Sequence, residues 1–337
     1  KSNKMNEIRA IVSDIKKGNI HPIYFLMGEE PYYIDKISDF IEQNILDETE
    51  KGFNQQVMYG RDSSIEEIIS SAKRYPMMAE RQVIIVKEAQ DLSRNIEKLV
   101  SYAENPQLTT VLVFNYKYKK LDKRKKLHKA IAKSGLLFES KKLYENQVSD
   151  WIRSVLNGKK YQIEPKAAQM LVEFLGTNLS KISNELDKLV LMLPKETIIT
   201  PVHIEDNIGI SKDFNNFELR KSIGEKDIVK ANRIINYFME NPKNNPLVMT
   251  ISLLNSFFTQ LLKFHSLQDK SKSFVAKSIG VSPYFVDEYF IAARNYPMRK
   301  VARIIALLRE ADIKSKGVGA NQSQSDILKE LLFTILH

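Results

Sequence analysis

Apolar residues recur along the first 140 positions in two alternating patterns. Met5, Ile8, Ile11 and Ile15 fall at helical spacing and predict an amphipathic helix ended by Gly18. Residues 22–27 form an unalternated apolar run, read as a strand, and a helix is expected over 31–46. A second strand is expected over 53–59. Ile65, Ile68, Ile69 and Ala72 then mark a helix over 64–74, capped by Ser63 or Ser64. Val83-Ile84-Ile85-Val86 reads as a buried strand, Ile96, Leu99, Val100 and Ala103 as a helix, and residues 109–114 as another buried strand. Residues 121–133 read as helical and 135–139 as the last strand. Apolar strands that do not alternate, separated by helices, argue a parallel α/β sheet covered on both faces.

Beyond Glu145 the strand signal vanishes. Val148, Trp151, Ile152 and Val155 mark one helix, and Pro165 opens a second that stops at Gly176. Leu179, Ile182, Leu186, Leu189 and Val190 mark a third ended at Pro194, and Thr200 caps a short fourth starting at Pro201. Residues 209–216 form a joint, and helices continue to His337, with breaks at Asn241-Pro242, Pro246, 280–283, Pro297 and 317–322. The longest helix, 247–267, is apolar around most of its girth and must be buried on several sides. The chain thus divides into an α/β domain over 1–142, a small helical domain over 143–211 and a helical domain over 212–337.

Between the helix of residues 64–74 and the strand at Val83, Pro76 disfavours helix at Tyr75 and stops it. Met77 and Met78 are left on the turn. They either fold under it as core fillers or stand out as an adaptable pair that enters a partner's pocket.

Composition narrows the chemistry. The 337 residues contain no cysteine, which excludes disulfides, thiolate nucleophiles and zinc–thiolate sites. No run of 18 apolar residues predicts a membrane span. The leading Lys1-Ser2-Asn3-Lys4-Met5 has no signal core; Met5 is the expected native start after a short remnant, and a cytoplasmic location is expected. The net charge of +10 suits an acidic partner, nucleic acid or protein. It concentrates between Lys117 and Lys133, where Lys117, Lys119, Lys120, Lys123, Arg124, Lys125, Lys126, Lys129 and Lys133 face Asp122 alone. A solvated helix face explains such a run, but Tyr116 and Tyr118 interleave with it as on surfaces that track a nucleic-acid backbone.

The turn after the first strand, Met27-Gly28-Glu29-Glu30-Pro31-Tyr32-Tyr33, lies where a phosphate loop would be. It has one glycine and neither the lysine nor the Ser/Thr of a Walker loop, and Pro31 lacks an amide donor. ATP binding is not expected. His21, His128, His203, His265 and His337 are scattered, and Glu66-Glu67 falls on an exposed helix face. No catalytic, cofactor-binding or metal-binding residues are expected. Residues 274–286 have the layout of a helix-turn-helix, but the second helix carries Phe285, Val286, Tyr289, Phe290 and Ile291 and few base-reading groups, as in a plain helical hairpin.

In order, four stretches carry a resemblance: Pro22-Ile23-Tyr24-Phe25-Leu26-Met27-Gly28-Glu29-Glu30-Pro31-Tyr32; Pro76-Met77-Met78 with Arg81-Gln82-Val83-Ile84-Ile85-Val86; Leu175-Gly176-Thr177-Asn178-Leu179 with Asn184-Glu185-Leu186-Asp187-Lys188-Leu189; and Ala311-Asp312-Ile313-Lys314-Ser315-Lys316-Gly317 before a Leu-rich helix. Over nearly its whole length the chain resembles the delta subunit family of the bacterial DNA polymerase III clamp loader. Met78 stands where an aromatic is common in that family, and Ser315 where its motif has leucine.

The resemblance implies an AAA+-like domain without ATPase function, a small helical lid and a helical collar. It implies that Met77 and Met78, with Tyr75 and Pro76, form a wedge that binds the sliding clamp and opens its ring for loading on primed DNA. Implied partners are the beta clamp, the tau/gamma and delta prime subunits through the collar, and primer-template DNA, in a polymerase holoenzyme without a membrane. The missing cysteine also excludes the Ser-Arg-Cys arginine-finger motif of the catalytic neighbours. Two other classes compete: a DNA-binding regulator using residues 274–294, and a nucleotide hydrolase with an unorthodox loop.

Overall fold

The computed structural model describes residues 4–317 and 323–337. Lys1-Ser2-Asn3 and most of the expected break at 317–322 lie outside them. By contact density one compact unit ends at Leu143 and the other begins at Tyr144.

In the first unit the unalternated apolar runs become parallel strands. The elements are α1 (Lys4–Lys16), β1 (Ile23–Gly28), α2 (Pro31–Asn44), α3 (Glu48–Asn54), β2 (Gln55–Tyr59), α4 (Ile65–Ala72), β3 (Gln82–Lys87), α5 (Val100–Glu104), β4 (Thr110–Lys117), α6 (Lys126–Ser134) and β5 (Leu136–Ser140). The five strands pair in the order β2-β3-β4-β1-β5, all parallel. Ile23, Phe25, Ile84, Val86, Leu112 and Phe114 share a core with Ile65, Ile68, Leu127 and Ile131 from covering helices. Phe25 and Phe114 stack at 5.4 Å between ring centres, which locks β1 against β4.

Four local expectations need correction. Phe53 belongs not to a strand but to α3, which starts after Asp47, where the Glu50 carboxylate accepts the Asp47 backbone N–H at 3.0 Å. Strand β4 runs on to Lys117, so Tyr116 is buried in the sheet and takes no part in any basic surface. The helix expected from 121 begins only at Lys126, because Leu121 is pinned in the loop, its N–H 3.4 Å from Met27 Sδ. The helix expected at 96–103 splits into a 3-10 turn, Ile96–Leu99, and α5.

Among its described residues the second unit is helical apart from one short parallel pair, β6 (Gln162–Ile163) with β7 (Ile198–Ile199), which the apolar pattern did not reveal. Its helices are α7 (Glu145–Gly158), α8 (Pro165–Leu175), α9 (Leu179–Met192), α10 (Pro201–Ile208), α11 (Asn216–Glu225), α12 (Ile228–Glu240), α13 (Leu247–Ser266), α14 (Lys272–Ile279), α15 (Val286–Asn295), α16 (Met298–Ser315) and α17 (Gln324–Leu336). By length and composition α13 is apolar enough to cross a membrane. It is instead the core helix of this bundle, with Leu254, Phe257, Phe258, Leu261 and Phe264 buried among α11, α15, α16 and their neighbours. The α14–α15 hairpin turns at Gly280 and buries Val275, Ile279, Val286 and Tyr289 in the same core. In the first turn of α15, Asp287 pairs with Lys272 at 2.7 Å and Glu288 with Arg220 at 3.2 Å. Most of the hairpin's apolar side chains are taken up in packing.

Candidate protein-interaction site

Helix α4 is stitched at its start by a reciprocal cap. The Ser64 hydroxyl accepts the Glu67 N–H at 3.2 Å, and the Glu67 carboxylate accepts the Ser64 N–H at 2.8 Å. Ile65, Ile68 and Ala72 face the core. Pro76 prevents continuation, and the carbonyls left open at the helix end find side chains. Thr110 Oγ1 donates to Ala72 O at 2.7 Å, while Gln82 Nε2 donates to Arg74 O at 2.6 Å and Ser71 O at 3.2 Å.

The turn that follows is held from the other side by Asn54, a buried residue at the end of α3. Its Oδ1 accepts the Met77 N–H at 2.6 Å and its Nδ2 donates to the Met77 carbonyl at 2.9 Å. Met78 has φ of 53°, a left-handed conformation uncommon for a side chain other than glycine, asparagine or aspartate. Met77 is 62% and Met78 102% exposed, and Tyr75 is 76% exposed, with Pro76 half-buried. Neither methionine fills the core. The locked backbone and free side chains present a protruding apolar tip. Asn54 escaped the sequence reading because a strand was expected there; the Asp47-x-x-Glu50 spacing was the available signal.

At the other end of the sheet, the β1–α2 loop is closed by two neighbouring segments and by its own Glu30. Gly28 N–H donates to Lys119 O at 3.0 Å, Glu29 N–H to Ser140 O at 3.3 Å and Glu30 N–H to Ser140 Oγ at 3.1 Å. Tyr32 N–H donates to the buried Glu30 carboxylate at 3.2 Å. Burial pushes the Glu30 carboxyl above the usual range, opposed by that backbone hydrogen bond. The amides that would cradle a phosphate are thus taken, and Glu30 fills the anion position at the N-terminus of α2.

The basic residues divide. Lys117 turns inward, 3.0 Å from Asp35 and 2.8 Å from Glu88. Its burial lowers the pKa, but the hydrogen bonds to those carboxylates outweigh it and hold the ammonium above its ordinary value. Lys119 donates to Ser93 Oγ at 2.7 Å, and Lys120 and Lys123 lie 3.8 and 3.7 Å from Glu139. Arg124 grips Asp122 through two nitrogens at 3.0 and 2.8 Å, and Lys125 sits 3.9 Å from Glu97. Lys126 opens α6 with an exposed side chain. Apart from Lys117 these cations remain on the surface. Among the described residues no cluster of three or more His, Asp or Glu is arranged to hold a metal ion.

The parallel order β2-β3-β4-β1-β5, the closed loop after β1 and the helical second unit define an AAA+-like protein. Two family models match, one described as DNA polymerase III, delta subunit, over residues 24–141, and one as DNA polymerase III delta subunit, C-terminal domain, over 213–334. The chain belongs to the DNA polymerase III delta subunit family. It is 28% identical over 313 residues to the Bacillus subtilis DNA polymerase III subunit delta, covering 90% of both chains. It is 21% identical over 281 residues to a probable DNA polymerase III subunit delta of Aquifex aeolicus, covering 80% of this chain and 78% of the relative. A solved Bacillus subtilis DNA clamp loader delta protein superposes with a TM-score of 0.58 at 26% identity, covering 98% of this chain and 99% of that one.

Proposed function

We propose that this chain serves in a clamp loader by inserting Met77 and Met78, backed by Tyr75 and Pro76, into an apolar pocket of the ring-shaped sliding clamp. The observation that carries this reading is the fully exposed Met78 side chain on a turn whose backbone is locked by Asn54 and Gln82. Such a tip loses little conformational entropy of its backbone on binding, so its apolar contact converts efficiently into affinity. Opening follows from differential binding: a subunit that fits the open ring better than the closed one shifts the ring by that affinity ratio. Taking a ring from about 1% to about 99% open needs roughly a 10,000-fold ratio.

The chain itself supplies no ATPase, a reading supported by the filled β1–α2 loop. Residues 1–142 bind the clamp, 143–211 act as a lid, and 212–337 join a collar with tau/gamma and delta prime subunits, which supply ATP hydrolysis. Lys119, Lys120, Lys123, Arg124, Lys125 and Lys126 present positive charge to primer-template DNA or to an acidic clamp rim, in the cytoplasm.

The test is clamp affinity of a Met77→Ala/Met78→Ala variant alongside its melting temperature. Loss of an apolar anchor typically costs about 2 kcal/mol or more, roughly thirty-fold in affinity. Melting should be unchanged, since both side chains are exposed. Full clamp affinity in the variant would sink the wedge.

A further inference from the structure

Three adjacent strands, β2, β3 and β4, start at the same end of the sheet, with Gln55 opposite Val83 and Gln82 opposite Thr110. The segments entering them carry large apolar side chains that the fold leaves in solvent. Phe53, two residues before β2, is 76% exposed, and Leu108, two residues before β4, is 73% exposed. The Met77–Met78 turn enters β3 between them. Neighbouring strands lie about 4.8 Å apart, so the three entries fit within roughly 10 Å. The segments are also tied to one another. Phe53 precedes Asn54, which grips the Met77 backbone, and Arg81 Nη1 donates to Leu108 O at 3.3 Å. Exposed apolar residues scattered singly need no explanation, but several carried on adjoining, hydrogen-bonded segments at one end of a sheet point to an interface.

We infer that Phe53 and Leu108 are contact residues on either side of the methionine tip, seated on the apolar rim of the same clamp pocket. This rests on the reading of Met77 and Met78 given above. Continuity argues for one occupant: a pocket deep enough to take the Met78 side chain brings its mouth against both flanks. Exposed Lys73 and Arg74, on the same turn, favour a mouth with acidic groups beyond the apolar rim. The tip supplies depth, and the flanks fix how the clamp is oriented on this end of the sheet.

The experiment compares the full-length chain with Phe53→Ala/Leu108→Ala and Met77→Ala/Met78→Ala variants. Binding to the cognate sliding clamp is measured by surface plasmon resonance, with melting temperature as the folding control. Both pairs are exposed, so melting should not change. The expected result is a loss of about ten-fold or more for the flank variant, mostly as faster dissociation. A flank variant within two-fold of the parent, with the methionine variant impaired, overturns this inference and leaves the wedge reading standing. Loss in the flank variant alone overturns the wedge and, with it, the placing of both flanks on the rim of the wedge's pocket. No clamp binding by the parent chain overturns both. Light scattering is the second readout: a parent dimer that the flank variant abolishes, with clamp binding intact, would assign these side chains to self-association and overturn the inference.

Discussion

The Asn54 side-chain amide pairs with both backbone groups of Met77, accepting its N–H at 2.6 Å and donating to its carbonyl at 2.9 Å. This is the pairing a neighbouring strand would make, supplied by one side chain across 23 residues of sequence. A third bond, from Nδ2 to Glu50 O at 3.2 Å, ties the same amide to α3. The tip therefore sits on a rigid base although it lies in a loop. Its neighbour Met78 can hold a left-handed backbone because that base over-determines it.

Asn54→Ala should lower fold stability by about 1–2 kcal/mol and weaken clamp binding without touching either methionine side chain. Asn54→Asp keeps the acceptor for the Met77 N–H but sets a buried carboxylate oxygen against the Met77 and Glu50 carbonyls, and should cost at least as much as Asn54→Ala. Hydrogen exchange at the Met77 amide reads the effect directly. Unaltered protection of that amide in Asn54→Ala would show that the turn holds itself.

The β1–α2 loop should neither bind nor turn over ATP at micromolar concentrations, since its amides are engaged by Lys119, Ser140 and Glu30. Equilibrium dialysis with stoichiometric ATP bound would overturn this. The same loop tolerates no side chain at Gly28, where φ is +123° and a Cβ would lie 2.1 Å from Ser140 O. Gly28→Ala should cost about 3 kcal/mol or more, through the clash and the disfavoured φ together.

Much of the sheet was legible because residues buried on both faces read as unbroken apolar runs such as Val83 to Val86. The turn was legible because Pro76 marks the helix end independently of tertiary contacts. What escaped depends on partners distant in sequence. Asn54 acquires its role only through Met77, and Lys117 is neutralised only when Asp35 and Glu88 are folded around it. Tyr116 looked like part of a basic surface because its strand neighbours, not its own flanks, bury it. Phe53 was misassigned because a β-favouring aromatic sat at the end of a short capped helix, where cap chemistry outweighs propensity.

Reversing Lys123, Arg124, Lys125 and Lys126 to glutamate should weaken clamp loading at low salt and matter less at high salt. Exposed charges are screened beyond about 8–10 Å near physiological ionic strength. The reversal also removes pairs to Glu139, Asp122 and Glu97, but the cations in them are largely exposed, and pairs of that kind contribute little to stability. Loading assays across a salt series separate the cases, since equal loss at every salt concentration would signal a folding defect.

In the second unit Arg220 lies between two carboxylates, 3.5 Å from Glu173 and 3.2 Å from Glu288. Glu173 is buried, and its Oε2 has no hydrogen-bond partner among the described residues. Burial pushes its carboxyl up to about 7, against the pull of Arg220 and the hydrogen bond from Gln169. Burial also raises Glu288, again opposed by Arg220. The unfolded chain ionises Glu173 near 4.5, so between 4.5 and about 7 the folded state holds the extra proton. Stability therefore falls as pH rises through that window, by on the order of 3 kcal/mol for a shift of this size. Glu218, lowered by its hydrogen bonds to Lys166 and Lys230 against burial, acts in the opposite sense but below its unfolded pKa, outside the window. Glu173→Gln removes the titration while keeping the shape. Relative to the parent, the variant should gain stability from pH 5 to about pH 7 and then level off in denaturant melts of the full chain. A difference between the two proteins that stays constant with pH would show that Glu173 is ionised throughout, held by Arg220 despite its burial.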